Sequence, residues 1–205
     1  MPTSDFTTAG PAKQQTRLDN LAAVQQSSIL WSRKNKNLHF DWGETAGRLA
    51  PTLHLLREHD ALGPDATFIG FDLPDSQHIL DECEDQYGTH DAKWVAQDLM
   101  TALRTHNPFP NMGVLVWDSC DAARGQTVQR HLDTLIPFAQ RQESRLGSFL
   151  LVINVSLFRV HKGADQYVRG IRRHLPTFDP DTAFHRYRSE VRQNDMLLTR
   201  LRFGF

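Results

Sequence analysis

The amino-acid sequence predicts an α/β fold, a mostly parallel sheet flanked by helices. Three observations carry that prediction. Short apolar runs of strand length alternate with stretches whose apolar residues recur at helical spacing, the pattern of a parallel sheet covered on both faces. Residues 66–71 and 149–155 are apolar almost throughout, as strands buried on both sides are. Four consecutive runs end on an aspartate, at Asp41, Asp72, Asp98 and Asp118.

Residues 1–14 are rich in Thr, Ala, Pro and Gln and predict a disordered arm, leaving 15–205 as a single domain. From Arg17 the pattern turns helical, with Leu18, Leu21, Val24 and Ile29 near one face. A polar, basic approach leads to a first strand over residues 37–41. After Gly47, Leu49, Leu53 and Leu56 mark a helix with Pro51 in its first turn, where the missing N–H does little harm. The turn signal Gly63-Pro64-Asp65 precedes the second strand, and Asp75 or Ser76 can cap the next helix, marked by Ile79, Cys83 and Tyr87.

Residues 93–96 form a third, shorter strand, followed by a brief helical turn over 99–103. Residues 112–117 make the fourth strand. Val128, Leu132, Leu135 and Ala139 mark a long amphipathic helix, expected to bend or restart at Pro137. After the strand at 149–155, Tyr167, Ile171 and Leu175 mark one more helix. The alternation of Leu197, Thr199, Leu201, Phe203 and Phe205 closes the chain with a strand.

A chain of 205 residues is long enough for one sizeable core, and a formal net charge of -1 exerts no global pull on nucleic acid or anionic membrane. The charge is uneven: residues 159–205 carry ten Lys/Arg against five Asp/Glu. Such a basic C-terminal quarter could face an anionic partner, or its arginines could simply solvate a surface. Two cysteines, Cys83 and Cys120, are too few for a disulfide framework and suit a reducing cytoplasm. No apolar run reaches membrane-spanning length, and the N-terminus does not read as a signal peptide.

Ligands of parallel sheets collect beyond the carboxyl ends of the strands, near the switch in strand order. Asp41, Asp72, Asp98 and Asp118 are expected to converge there. Because an ionised carboxylate only accepts hydrogen bonds, such acids suit a ligand rich in hydroxyl and amine donors. Gly43 and Gly47 would let the backbone approach it closely and turn sharply from strand to helix. The sequence lacks a Gly-x-x-x-x-Gly-Lys-Ser/Thr loop, which excludes a P-loop NTPase.

The order acid-x-Gly-x-x-x-Gly from Asp41 to Gly47, followed by an acid after each of the next three strands, resembles the class I S-adenosylmethionine-dependent methyltransferases. The resemblance covers residues 37–155, and the last strand is compatible with that family's seventh. It implies a methyltransferase-like Rossmann fold with a C-terminal antiparallel strand, S-adenosylmethionine as cofactor, and methyl transfer to an acceptor that the sequence leaves unnamed. By matching position, Asp41, Gly43, Glu44 and Gly47 would hold the methionine and adenosine parts. Asp72 with Leu73 would meet the ribose hydroxyls, and Asp98 with Leu99 the adenine amine. The segment Asp118-Ser119-Cys120 would face the methyl group, with Asp118 and Ser119 as catalytic residues and Asp118 positioning or deprotonating the acceptor. Thr45 stands where the family often has a third glycine. Asp118-Ser119-Cys120-Asp121 also differs from the Asn/Asp-Pro-Pro-Tyr/Phe of many enzymes that methylate nucleobase amines.

Each of these residues has an ordinary structural use as well. Asp41 and the glycines could form a plain turn, Asp72 could initiate the turn through Pro74, and Asp98, Asp118 and Asp121 could cap helices. Cys120 could be an inert small side chain rather than a nucleophile. Trp42, Trp94 and Trp117 could pack the core or wall a pocket. The ten histidines form neither a two-Cys nor a His-Glu-x-x-His arrangement, so no metal is expected. Three rival functions remain at this stage. One is a catalytically inactive Rossmann-like binding or regulatory protein that uses the basic C-terminal surface. Another is a nicotinamide-dinucleotide enzyme, disfavoured by the glycine spacing, and the last a metal-dependent nuclease.

Overall fold

The computed structural model describes residues 11–26, 40–45, 51–62, 65–105, 109–122, 126–157, 161–189 and 194–204. Seven strands form one sheet: β1 (Asp41–Thr45), β2 (Phe68–Asp72), β3 (Ala92–Ala96), β4 (Met112–Ala122), β5 (Phe149–Ser156), β6 (Phe184–Ser189) and β7 (Asn194–Phe203). Their spatial order is β3-β2-β1-β4-β5-β7-β6. Strands β1 to β5 run parallel, whereas β7 is antiparallel to both its neighbours, β5 and β6. The order reverses between β1 and β4, which makes that gap the switch point.

The unbroken apolar strands have helices on both faces because each face needs cover. On one face α1 (Pro11–Gln26) and α2 (Pro51–Glu58) bring Leu21, Val24, Leu53 and Leu56 against Trp42, Phe68, Val114, Val116, Leu150 and Val152. Tyr87 of α3 (Gln77–Tyr87) packs at the margin of the same cluster. On the other face α4 (Leu99–Thr105), α5 (Gln126–Leu146) and α6 (His161–His174) bring Leu99, Leu103, Leu132, Leu135, Tyr167 and Ile171 against Ile69, Phe71, Leu115, Leu151 and Ile153. Each fully buried leucine of these clusters contributes about 1.5–3 kcal/mol. A 3-10 turn (Pro74–Ser76) leads into α3, and the short α7 (Pro180–Ala183) precedes β6.

Four sequence expectations change. Residues 11–14, expected within a disordered arm over 1–14, are helical as part of Pro11–Gln26; residues 1–10 and Ile29 lie outside the described residues. The first strand is Asp41–Thr45 rather than 37–41, of which only Phe40 and Asp41 are described. The long helix runs through Pro137 as one element, because Leu135, Ile136, Phe138 and Ala139 are all fully buried. Their burial offsets the roughly 3 kcal/mol that an interior proline costs. Finally, β6 is an additional strand, paired to β7 from Phe184↔Thr199 to Ser189↔Asn194.

The start of β4 is fixed by one buried amide. Gln142 of α5 donates from Nε2 toward the carbonyls of Phe109, Pro110 and Met112 at 3.2, 3.3 and 2.8 Å. The far end of the same strand carries Asp118, so this anchor sets where that acid stands. Just beyond, Gly147 (φ 86°) ends α5 in the left-handed conformation that favours glycine, its N–H on the Glu143 carbonyl at 2.7 Å.

Candidate functional site

Three of the four aspartates stand at the carboxyl ends of their strands. Asp72 closes β2, and its Oδ1 accepts from the Leu73 N–H at 2.8 Å, leaving Leu73 as a 54% exposed apolar side chain beside it. Asp98 follows β3 and caps α4, accepting from the Met100 N–H at 3.1 Å and the Thr101 hydroxyl at 2.6 Å. The Thr101 hydrogen bond in particular holds the Asp98 carboxyl below its ordinary range. The capping use expected for Asp98 is therefore present. Asp118 lies where regular pairing of β4 with β5 ends, at Asp118↔Asn154, before an irregularity that reaches Ala122.

Asp41 is the exception. It is the first residue of β1, at the amino end, where its carboxylate accepts from the Thr67 N–H at 3.0 Å and its own N–H reaches the Asn111 carbonyl at 2.8 Å. It ties strand beginnings together on the edge opposite the other acids. Glu44 occupies the carboxyl half of β1 instead, paired with Gly70 and Val116 and 7% exposed. A Cβ on Gly43 would lie 2.6 Å from Met112 Cε and 3.1 Å from Phe71 Cε2, so the glycine also allows close packing between β1 and its neighbours. Leu99 is buried in the core at 5% and presents no exposed face. Gly47, Arg48 and the side chains of Ser119, Cys120 and Asp121 lie outside the described residues.

Beside the switch point is a small pocket, about 30 Å³, room for a single water-sized group. It is lined by Thr16, Arg17 and Asn20 of α1, Trp42 and Glu44 of β1, Thr52 of α2, and by Asp118, Asn154 and Tyr187. Asn154 organises one wall. Its Nδ2 donates to Asp118 Oδ1 at 3.0 Å and to the Tyr187 hydroxyl at 2.8 Å, so both amide hydrogens are committed to fixed acceptors. Its Oδ1 is buried without a hydrogen-bond partner among the described residues. The same holds for Arg17 Nε and Nη1, Thr52 Oγ1 and Trp42 Nε1. Buried polar atoms are rarely left so, because each costs about 1–3 kcal/mol.

Sequence reasoning did not single out Asn154, Tyr187, Arg17 or Thr52. Only Asn154 carried a signal, as a polar residue inside the most apolar run. The tryptophans divide: Trp42 and Trp117 are core residues, Trp117 edge-on to His131 at 4.5 Å, and Trp94 packs near Phe68 and Tyr87. Cys83 is a buried free thiol. The basic C-terminal quarter is split by the sheet. Arg169, Arg172 and Arg173 stand on α6, with Arg173 bonded to Gln129 and near Asp133. Arg200 of β7 instead holds α1, donating to Asn20 Oδ1 at 2.9 Å with Asp19 at 3.8 Å. Among the described residues no group of His, Cys, Asp and Glu is placed to hold a metal ion, and no helix is long and apolar enough to cross a membrane.

No protein-family profile and no curated protein sequence matches this chain. Solved structures do. The O-methyltransferase TomG of Streptomyces achromogenes, solved with S-adenosylmethionine, superposes with a TM-score of 0.55 at 11% identity, over 96% of this chain and 82% of that one. Sp1610 of Streptococcus pneumoniae, provisionally a tRNA (m1A22) methyltransferase, superposes with a TM-score of 0.52 at 10% identity, over 92% and 70% of the two chains. At such identities the likeness is one of fold: this chain has the class I methyltransferase-like fold.

Proposed function

We propose that this protein binds S-adenosylmethionine at the carboxyl edge of β1 to β4 and transfers its methyl group to an acceptor held near Asp118. The observation that carries the reading is the gathering of Glu44, Asp72, Asp98 and Asp118 along one edge of a β3-β2-β1-β4-β5-β7-β6 sheet, around its switch point. Glu44 takes the place first given to Asp41, and with Gly47 it would hold the methionine part. Asp72 suits ribose hydroxyls, since a carboxylate accepts from both, and the exposed Leu73 offers apolar cover for the nucleoside. Asp98 retains its proposed place near the adenine amine in addition to capping α4.

Glu44 and Asp118 both line the pocket beside the switch point and bring negative charge to this edge of the sheet. S-adenosylmethionine would supply an electrophilic methyl group on a sulfonium. The chain's own part is positional: Asn154 fixes the Asp118 carboxylate, which takes the acceptor's proton as the methyl group is received, with Ser119 next to it on the strand. Two acids at this edge would also favour the sulfonium's positive charge.

Titration with S-adenosylmethionine and S-adenosylhomocysteine, against NAD and ATP, tests the reading. At one hundred times the dissociation constant binding adds about 2.7 kcal/mol, a rise in melting temperature of roughly 5–10 °C for a chain of this size. The rise is expected to disappear in Asp72→Ala. No shift and no heat of binding would refute cofactor binding.

A further inference from the structure

We propose that the groove between α5 and α6 docks the phosphate backbone of a double-helical nucleic acid. The groove is open, about 600 Å³, and is lined by Gln129 of α5 with Gln166, Arg169, Gly170, Arg172 and Arg173 of α6. Neither an acid nor an apolar side chain is among them. Arg169, Arg172 and Arg173 are exposed and stand at i, i+3 and i+4, so α6 presents them on one face. Arg57 and Arg200, by contrast, have Asp91 at 2.7 Å and Asp19 at 3.8 Å. Among the described residues Arg169 and Arg172 have no acid within ion-pair distance. Asp133 of α5 lies 2.8 Å from His174 and 3.9 Å from Arg173, and Asp165 is on α6 without lining the groove. The groove therefore keeps a local positive field although the whole chain carries -1.

Two of the three guanidinium groups are also held in position. Arg172 donates from Nε to the Phe178 carbonyl at 3.2 Å, and Arg173 donates to Gln129 Oε1, which leaves further N–H donors on both. Gly170 lets the helices close on Gln129, since a Cβ there would collide with its amide. Gln129 Nε2 is buried without a partner among the described residues, so it adds one more donor to a groove that offers donors. Arginine pairs with phosphate by charge-assisted, often bidentate hydrogen bonds. Side chains at this spacing stand about 5–6 Å apart at Cβ, which suits several phosphates of one backbone better than a single anion. The lining residues also narrow the source of those phosphates. Without an aromatic side chain the groove has no platform on which unpaired bases could stack. Without an apolar one it has nothing to insert into a lipid surface. A duplex turns its phosphates outward, and contacts to them position the protein without reading sequence.

The test is fluorescence anisotropy with labelled RNA and DNA duplexes of about 20 base pairs, at roughly 50 to 200 mM salt. It uses no cofactor, so its outcome is separate from that of the S-adenosylmethionine reading. Wild type should bind, with log affinity falling linearly against log salt. Arg169→Gln should lower that slope by about 1, and Arg169→Gln combined with Arg172→Gln by about 2. The double variant should bind about tenfold more weakly at the low-salt end. Arg169 makes no hydrogen bond among the described residues, so the single variant should keep the wild-type melting temperature. Arg145→Gln removes the same charge from the exposed last turn of α5 and should change neither slope nor affinity. Binding of either duplex with this pattern supports the proposal. No binding at the low-salt end, or equal losses in Arg145→Gln and Arg169→Gln, would overturn it. So would binding to phosphatidylserine vesicles in place of both duplexes, which would make α6 a lipid-facing helix.

Discussion

Replacing Asn154 with aspartate converts a hydrogen bond into a repulsion whose size follows from the structure. The amide Nδ2 lies 3.0 Å from Asp118 Oδ1. Two ionised carboxylates at such a separation repel by about 5 kcal/mol at an effective dielectric of ~20. Protonating one of them is the cheaper response: at pH 7, about three units above the ordinary aspartate value, it costs roughly 4 kcal/mol. Asn154→Asp should therefore lose about 4 kcal/mol at pH 7, or roughly 8–16 °C in melting temperature. The sign with pH is fixed. The folded pKa of the introduced carboxyl is raised above its unfolded value, so the folded state binds the extra proton. Stability lost at neutral pH returns as pH falls, by about 1.4 kcal/mol per unit, until the variant approaches wild type near pH 4. Urea titrations of both proteins at pH 7.0, 5.5 and 4.5 measure this. A destabilisation that does not change with pH, or none at pH 7, would refute the Asp118–Asn154 contact and with it the account of how Asp118 is oriented.

Two further outcomes follow from other contacts. Gly43→Ala should cost about 1–3 kcal/mol by overpacking, since its Cβ meets Met112 Cε at 2.6 Å in a fully buried setting. Affinity for S-adenosylhomocysteine should stay unchanged, and chemical denaturation beside calorimetry separates the two effects. Asp91, bonded to Arg57 at 2.7 Å, has its carboxyl lowered to about 2, chiefly by that hydrogen bond. A depressed folded pKa gives stability that is present above the unfolded value near 4 and lost as pH falls toward 2. Arg57→Met should remove about 1 kcal/mol or less, allowing for solvent screening at this partly exposed pair. The difference should fade between pH 4 and 2 in a series of melts.

The alternation of strands and helices was legible because burial on both faces forces unbroken apolar runs, as in β2 and β5. What the sequence obscured was structure defined by neighbours. The strand β1 reads Asp-Trp-Gly-Glu-Thr, a set with weak strand preference, and it is a strand because β2 and β4 pair with it on both sides. A displacement of four residues along that strand moved Asp41 to the opposite edge of the sheet and put Glu44 in its place. The strand β6 is polar and pairs on one side only, so its alternation is faint. The pocket was hidden for another reason. Arg17, Thr52, Asn154 and Tyr187 come from four elements spread over the chain, and their convergence is a property of topology rather than of any local motif.

The position of β7 has a consequence for how the molecule comes to be made. This strand lies between β5 and β6, yet it follows both in the chain. During synthesis β5 therefore emerges with one edge of its backbone unpaired, and β6 has no partner until β7 arrives. An open edge of a buried, largely apolar strand invites pairing with another nascent chain. The last-made strand closes that edge and brings Tyr187 to Asn154, so the pocket acquires its final wall at the moment the sheet loses its most adhesive border.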